Sequence, residues 1–361
     1  MLPKNIIGTY QRLVQKICIP TIKRGQRRQF LFGLNALSVR PFVSLNSNAR
    51  TTLASRSAAE SKMARLLRNP RLQQQLTKLH LKLSVVKATS LVNVDHSEFN
   101  GLSVLMFAAQ TRRGRALPVY LETMPSLAQG HKTTSKKYLE SRAKYQDWKQ
   151  QTGLDQFGYT TYCISKLAGQ LGFVPRLVFD RGFCNKRILK YLKRNKITGH
   201  IRAKAWLRVT AADGSKKRIS EFEPGSHLVS FGCKLRLVVG ERINEHDEPW
   251  YIFTTDLNTS TANILDIYYH RFEIEELFRD MKSLLLTKGS RLKKPMNLAT
   301  LLWYICLGIL LLHLSRPKTA KPGRQPNLHC KKKLSGFRML FEEFEKELRS
   351  LVYISDRLVY G

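Results

Sequence analysis

The chain has 361 residues, which at about 150 per domain suggests two domains, or one core with additions. Its 62 Lys and Arg against 26 Asp and Glu give a formal net charge of +36, while 43% hydrophobic residues are enough to bury a core. Global disorder is therefore excluded, and so much positive charge points to a polyanion as partner, either nucleic acid or an anionic membrane.

The six cysteines (18, 163, 184, 233, 306 and 330) are scattered, with no C-x-x-C pair and no Cys/His pattern at zinc spacing. That argues against a zinc site and a disulfide framework, and fits a reducing intracellular compartment. The first acidic residue is Glu60. Three readings fit the acid-free leader before it: a basic arm for nucleic acid, an organelle transit peptide, or a poorly ordered segment with no specific role.

In chain order, residues 54–84 read as helix. Residues 90–94 form a short β-prone run into Asp95. Residues 102–110 and 117–122 read as two strands joined by a basic turn, hence a hairpin. Helices are expected at 136–151 and 159–170, and an apolar strand at 175–179 runs into Asp180. A basic helix at 185–195 and a strand near 198–202 come next. Residues 203–260 alternate and carry turn signals, as a β-rich insertion would. Helical periodicity returns from 262 to 286. Residues 298–314 are almost wholly apolar, slightly short of the roughly 18–20 needed to cross a bilayer. They read as a buried core helix, with membrane contact as the alternative. Residues 317–333 read as a linker and 336–352 as an amphipathic helix. It could support a dimer or pack on its own core.

Asp95 and Asp180 each follow an apolar strand, which would place a carboxylate at the rim of a sheet. A turn or helix-capping Asp is the plain alternative for each. A third element favours a site. On a helical wheel, Tyr268, Arg271, Glu275 and Lys282 share a stripe about 60° wide. It borders an apolar arc of Ile267, Ile274, Phe278, Met281 and Leu285. A solvated charged face with i,i+4 pairs would show the same pattern. Glu98 and Glu122 compete with Asp95 for the first position, and Asp95 is preferred as the residue that terminates its strand.

The spacing Y-x2-R-x3-E-x6-K, met by Tyr268, Arg271, Glu275 and Lys282, resembles the signature of DDE transposases of bacterial insertion sequences. Phe179-Asp180-Arg181-Gly182-Phe183 and the region from Asp95 to Pro125 are similar to that group's contexts for its two aspartates. The resemblance covers roughly residues 54–315. It implies an α/β fold: a ribonuclease-H-like mixed sheet with flanking helices, interrupted by a β-strand insertion, with a helical N-terminal region. The corresponding parts are a DNA-end-binding region at 1–84, partly disordered and then helical, and a catalytic core at 85–202 and 261–315. The insertion is 203–260, and the linker and terminal helix are 316–361.

By the same resemblance Asp95, Asp180 and Glu275 are catalytic and hold two divalent ions, Mg2+ or Mn2+. Hard oxygen ligands suit such ions, and an ion pair suits phosphoryl transfer. Tyr268, Arg271 and Lys282 would contact DNA phosphates. The implied activity is binding of inverted-repeat ends, metal-dependent cleavage and transfer of 3′ ends to target DNA, by a homodimer on double-stranded DNA. The expected location is cytoplasmic and nucleoid-associated, without a membrane role. Some relatives hold a flipped base with an aromatic residue of the insertion, for which Trp206 and Trp250 are candidates, although a core role is commoner for each. Two other functions stay open: a catalytically inactive or repurposed DNA-binding protein, and a metal-dependent nuclease of the same fold.

Overall fold

The computed structural model describes residues 9, 12–39, 56–99, 101–112, 114–126, 135–241, 248–283 and 294–315. After short helical turns between 12 and 26, the elements in chain order begin with α1 (Arg27–Val39), α2 (Arg56–Leu67) and α3 (Pro70–Leu83). There follow β1 (Leu91–Phe99), β2 (Leu102–Ala109), β3 (Leu117–Pro125), α4 (Lys136–Thr152) and α5 (Gln156–Leu171). Next come β4 (Arg176–Phe179), α6 (Lys186–Arg194), β5 (Gly199–Arg202), β6 (Arg208–Ala211), β7 (Lys216–Arg218), β8 (Gly225–Ser230), β9 (Lys234–Val239) and β10 (Tyr251–Thr254). The last are α7 (Thr261–Tyr269), α8 (Glu273–Ser283) and α9 (Pro295–Ser315). The expected linker and C-terminal helix lie outside the described residues.

Two compact units divide the chain: Met1–Ser84 with Arg279–Gly361, and Val85–Phe278. In the first, α9 packs against α1, α2 and α3. Most residues of α9 are buried on all sides. Among the described residues it is the one helix long and apolar enough to cross a membrane, and 82% of its most apolar window is buried within the fold. Trp303 meets His80 edge-on at 5.2 Å, and Tyr304 stacks on Phe30 at 6.2 Å. The helix expected at 54–84 is two helices. Pro70 opens α3 and Asn69 caps it by accepting the Leu72 N–H at 3.1 Å. A proline ring is favourable there and would break a continuous helix. Within the acid-free leader, the described residues 12–39 are mostly helical.

The second unit is built on one ten-stranded mixed sheet in the order β3-β2-β1-β4-β5-β10-β9-β8-β6-β7. β1, β2 and β3 form an antiparallel meander, and β1, β4 and β5 run parallel. β2 (LSVLMFAA) is buried along almost its whole length, as a central strand covered on both faces should be. Helix α6 makes the crossover from β4 to β5. The β-rich stretch 203–260 does form strands, but β10 pairs with β5 from Thr254↔His200 to Ile252↔Arg202. Strands β6–β10 therefore extend the same sheet. The architecture is a mixed α/β unit with flanking helices, compatible with a ribonuclease-H-like fold.

Candidate active site

The site is built outward from the parallel pair β1–β4. Their register ends at Val94↔Phe179, so Asp95 and Asp180 occupy the next position on two adjacent strands. Neighbouring strands lie about 4.8 Å apart, which sets the two carboxylates side by side. Asp180 leaves β4 in extended conformation and leads into a 3-10 turn, Arg181–Phe183. Phe183 packs on Phe179 at 5.5 Å and stacks on His96 at 5.1 Å, fixing that turn against β1. Asp95 does not terminate its strand, contrary to expectation, because β1 continues to Phe99 paired with β2. What ends at Val94 is the parallel partner.

Glu275 arrives from the other side on α8. The helix expected from 262 to 286 is broken, since α7 ends at Tyr269 and a 3-10 turn, His270–Phe272, precedes α8. A break frees backbone carbonyls, which need partners when buried. Two side chains supply them. Asn93 Nδ2 donates to the His270 and Arg271 carbonyls at 3.1 and 3.3 Å. Gln110 Nε2 donates to the Ile267 carbonyl at 3.0 Å and to Asn93 Oδ1 at 2.7 Å. Asn93 and Asp95 are two apart on β1 and share a face, so docking the break on Asn93 brings Arg271 to Asp95. Glu273 adds a second anchor. It is buried and accepts from the Thr111 and Gly114 N–H groups of the β2–β3 turn at 2.7 and 3.2 Å, with His270 Nδ1 at 3.2 Å.

Arg271 is the hub. Its side chain is 4% exposed, with Nη1 at 3.4 Å from Asp95 Oδ2 and Nη2 bonded to Glu275 Oε1. Its guanidinium lies 4.6 Å from the Phe272 ring centre and 5.7 Å from that of Tyr268. Burial works against its charge, but Asp180, Glu275 and Asp95 hold it protonated. Burial pushes the Asp95 carboxyl up to about 7; Arg271 opposes that rise, and Asp180 and Glu275 add to it. The three acids thus act on one another electrostatically around a single cation.

A 3-10 turn interrupts the helix that carries the four signature residues, and Arg271 reaches both the Tyr268 ring and Glu275. Tyr268 is fully buried, packed against Trp250 at 5.3 Å, and burial pushes its phenol up so that it stays neutral. Glu275 is 48% exposed. Lys282 lies in the last turn of α8, in the other compact unit. The apolar arc is buried at Ile267, Ile274, Phe278 and Met281, while Leu285 lies outside the described residues. The rival acids are engaged elsewhere: Ser126 Oγ donates to Glu98, and Lys166 Nζ sits 2.6 Å from Glu122. Trp206 is exposed, whereas Trp250 also packs against Phe272 at 6.2 Å. Asn93, Gln110 and Glu273 are the supporting residues that pattern reading missed. The available signal was a lone Asn inside an apolar strand.

Among the described residues no three His, Cys, Asp or Glu side chains form a ready metal-holding set. The donor chemistry nevertheless fits a divalent cation. Asp95, Asp180 and Glu275 offer hard carboxylate oxygens in mutual electrostatic range, and Arg271 supplies the positive charge that they require. Gathering all three on an ion requires Arg271 to give up its bonds to Asp95 and Glu275.

No curated protein matches the chain. Residues 149–318 match a family model described as "Archaeal putative transposase ISC1217". That segment contains Asp180, Tyr268, Arg271, Glu275 and Lys282, and Asp95 lies before it. The matched segment spans a little under half of the chain, and its description names a transposase.

Proposed function

We propose that this chain is a DNA transposase that binds the inverted-repeat ends of its own element, cuts them by phosphodiester hydrolysis and joins the 3′ ends to target DNA. The observation that carries the proposal is the placement of Asp95 and Asp180 at adjacent positions of two parallel strands, with Arg271 linking Asp95 to Glu275. The strand order β3-β2-β1-β4-β5, an antiparallel meander followed by two parallel strands, supports a ribonuclease-H-like core.

In this reading Asp95, Asp180 and Glu275 hold two divalent ions, Mg2+ or Mn2+. When bound, such ions activate the attacking oxygen and neutralise charge on the leaving one. The protein supplies position. Asn93 and Gln110 fix the break between α7 and α8, Glu273 ties that break to the β2–β3 turn, and Phe183 sets the turn that follows Asp180. Once released from the acids, Arg271 can meet a DNA phosphate as a bidentate donor, and Lys282 can contribute a point charge. Tyr268 supports Arg271 from below; a phosphate contact from its hydroxyl requires the break to open. The N-terminal helices read the element ends, and the active form on DNA is a dimer.

The test uses the DNA that flanks this coding region, carrying its terminal repeats, with purified protein and Mg2+. Nicking at the repeat end followed by joining to a second duplex supports the transposase. Cleavage without joining assigns a nuclease, and binding without cleavage assigns a DNA-binding protein.

A further inference from the structure

A second basic surface begins where the candidate site ends. The turn after Asp180 runs directly into α6, whose sequence is KRILKYLKR. Ile188, Leu189 and Leu192 are buried, while Lys186, Lys190 and Lys193 at i, i+4 and i+7 are exposed on one face. Arg187 points elsewhere, pairing with Asp155 at 2.5 Å. The lysine stems lie along the β8–β9 turn. Lys186 Nζ is 5.2 Å from the Phe231 ring centre, and a Cβ added to Gly232 would meet Lys190 Cε at 3.2 Å and the Lys186 stem at 3.3 Å. Gly232 has φ +79°, so glycine there serves both the turn and the close approach. Lys190 and Lys193 also act on Cys233, and exposed Lys234 follows in β9.

Some basic residues elsewhere in this unit are neutralised by ion pairs, as at Arg115–Glu276, Lys166–Glu122 and Arg176–Asp256. Among the described residues, Lys186, Lys190, Lys193 and Lys234 form none. Like charges at i,i+4 disfavour a helix, and here no carboxylate offsets them. The surface is complementary to a polyanion, and it is continuous in the chain with Asp180.

We propose that the exposed face of α6, with the β8–β9 turn, binds the phosphate backbone of double-stranded DNA entering or leaving the site. The proposal rests on the DNA-cutting reading and adds a location and a register to it. From Lys186 to Lys193 the helix rises about 10 Å. That equals about three base-pair steps of 3.4 Å, so each lysine can neutralise a different phosphate.

The experiment measures binding of the full chain to a 20-base-pair duplex of arbitrary sequence by fluorescence anisotropy, without Mg2+, across a salt series. Independence from cleavage separates its failure from failure of the enzyme assignment. The variant Lys186→Gln/Lys190→Gln/Lys193→Gln should lower the slope of log K against log salt by about 2–3. Lys186→Arg/Lys190→Arg/Lys193→Arg, which keeps the charge, should restore it and so exclude misfolding as the cause. A control of equal charge change, Lys136→Gln/Lys144→Gln/Lys149→Gln on exposed positions of α4, should lower the slope by less than about 1. A slope change in the α6 variant no larger than in the control overturns the proposal. So does loss of binding to anionic lipid vesicles with duplex binding intact, which would assign the face to a membrane.

Discussion

Replacing Arg271 with Gln tests the electrostatic core of the site. Arg271 is 4% exposed and Asp95 19% exposed, so their pair is largely desolvated, while Glu275 at 48% is not. Removing one partner of a buried pair costs about 3–5 kcal/mol, and an exposed pair contributes at most about 1 kcal/mol. Asp95 can limit the loss by taking up a proton. Its carboxyl already sits at about 7 with Arg271 in place, and loss of the cation raises it further. An acid whose folded value is raised binds protons more tightly in the native state. Stability is then greatest below the unfolded value near 3.8 and falls as pH rises through the folded one. Arg271→Gln should therefore cost up to about 1.4 kcal/mol more at pH 8 than at pH 6, the limit for one proton that the variant keeps and wild type releases near pH 7. Urea unfolding in EDTA, followed by tryptophan fluorescence at both pH values, measures the difference. Adding Mg2+ at about ten times its dissociation constant should return roughly 1.4 kcal/mol to the variant, and less to wild type, in which Arg271 competes. A variant as stable as wild type at pH 8, or equally destabilised at both pH values, would refute the reasoning.

Asn93→Ala removes the side-chain donor to the His270 and Arg271 carbonyls, which keep only the Glu273 N–H, so it should cost about 1–3 kcal/mol and lower the cleavage rate by displacing Arg271 and Glu275. Unchanged kinetics would show that the break is held by other contacts. Gly33→Ala would place a methyl 2.6 Å from Tyr304 Cζ and 2.7 Å from Leu66 Cδ1, so a loss of about 1–3 kcal/mol in thermal melting is expected. No loss would mean that α1 and α9 do not approach so closely. At Asp256 burial favours the neutral acid. Hydrogen bonds from the Thr259 hydroxyl and N–H and from the Asn258 N–H, together with Arg176, nevertheless hold its carboxyl down at about 2. Its contribution is present above about pH 4 and lost as pH falls through 2, so Asp256→Asn should destabilise at pH 6 and the difference should vanish in strong acid. An equal deficit at pH 2 and pH 6 would contradict that origin.

Much of the second unit could be read from alternation and turn chemistry. The 102–110 and 117–122 strands, the 136–151 helix and the basic helix capped by Asn185 all appear within a few residues of their expected places. The errors have specific causes. His96-Ser97-Glu98 looked like the end of a strand because its apolar run stops, yet hydrogen bonding to β2 carries β1 on to Phe99. His270-Arg271-Phe272 contains neither Pro nor Gly, so nothing local announces the break there. It is stabilised from a distance of more than 150 residues, by Asn93 and Gln110. Pro70 marks the break between α2 and α3, since a proline fits the first turn of a helix and not its interior. The continuity of β6–β10 with the core sheet depends on the β5–β10 pairing, which alternation within each strand does not encode.

The central claim is that Asp95, Asp180 and Glu275 work as one unit. Single-turnover cleavage of end-bearing DNA in Mg2+ by Asp95→Asn, Asp180→Asn and Glu275→Gln, with DNA affinity measured in parallel, tests it most directly. Each variant should cut at least about 1,000-fold more slowly while binding DNA at least as tightly as wild type, because phosphoryl transfer rests on charge and position. Cleavage near the wild-type rate by any one of the three would remove that residue from the site and contradict the account.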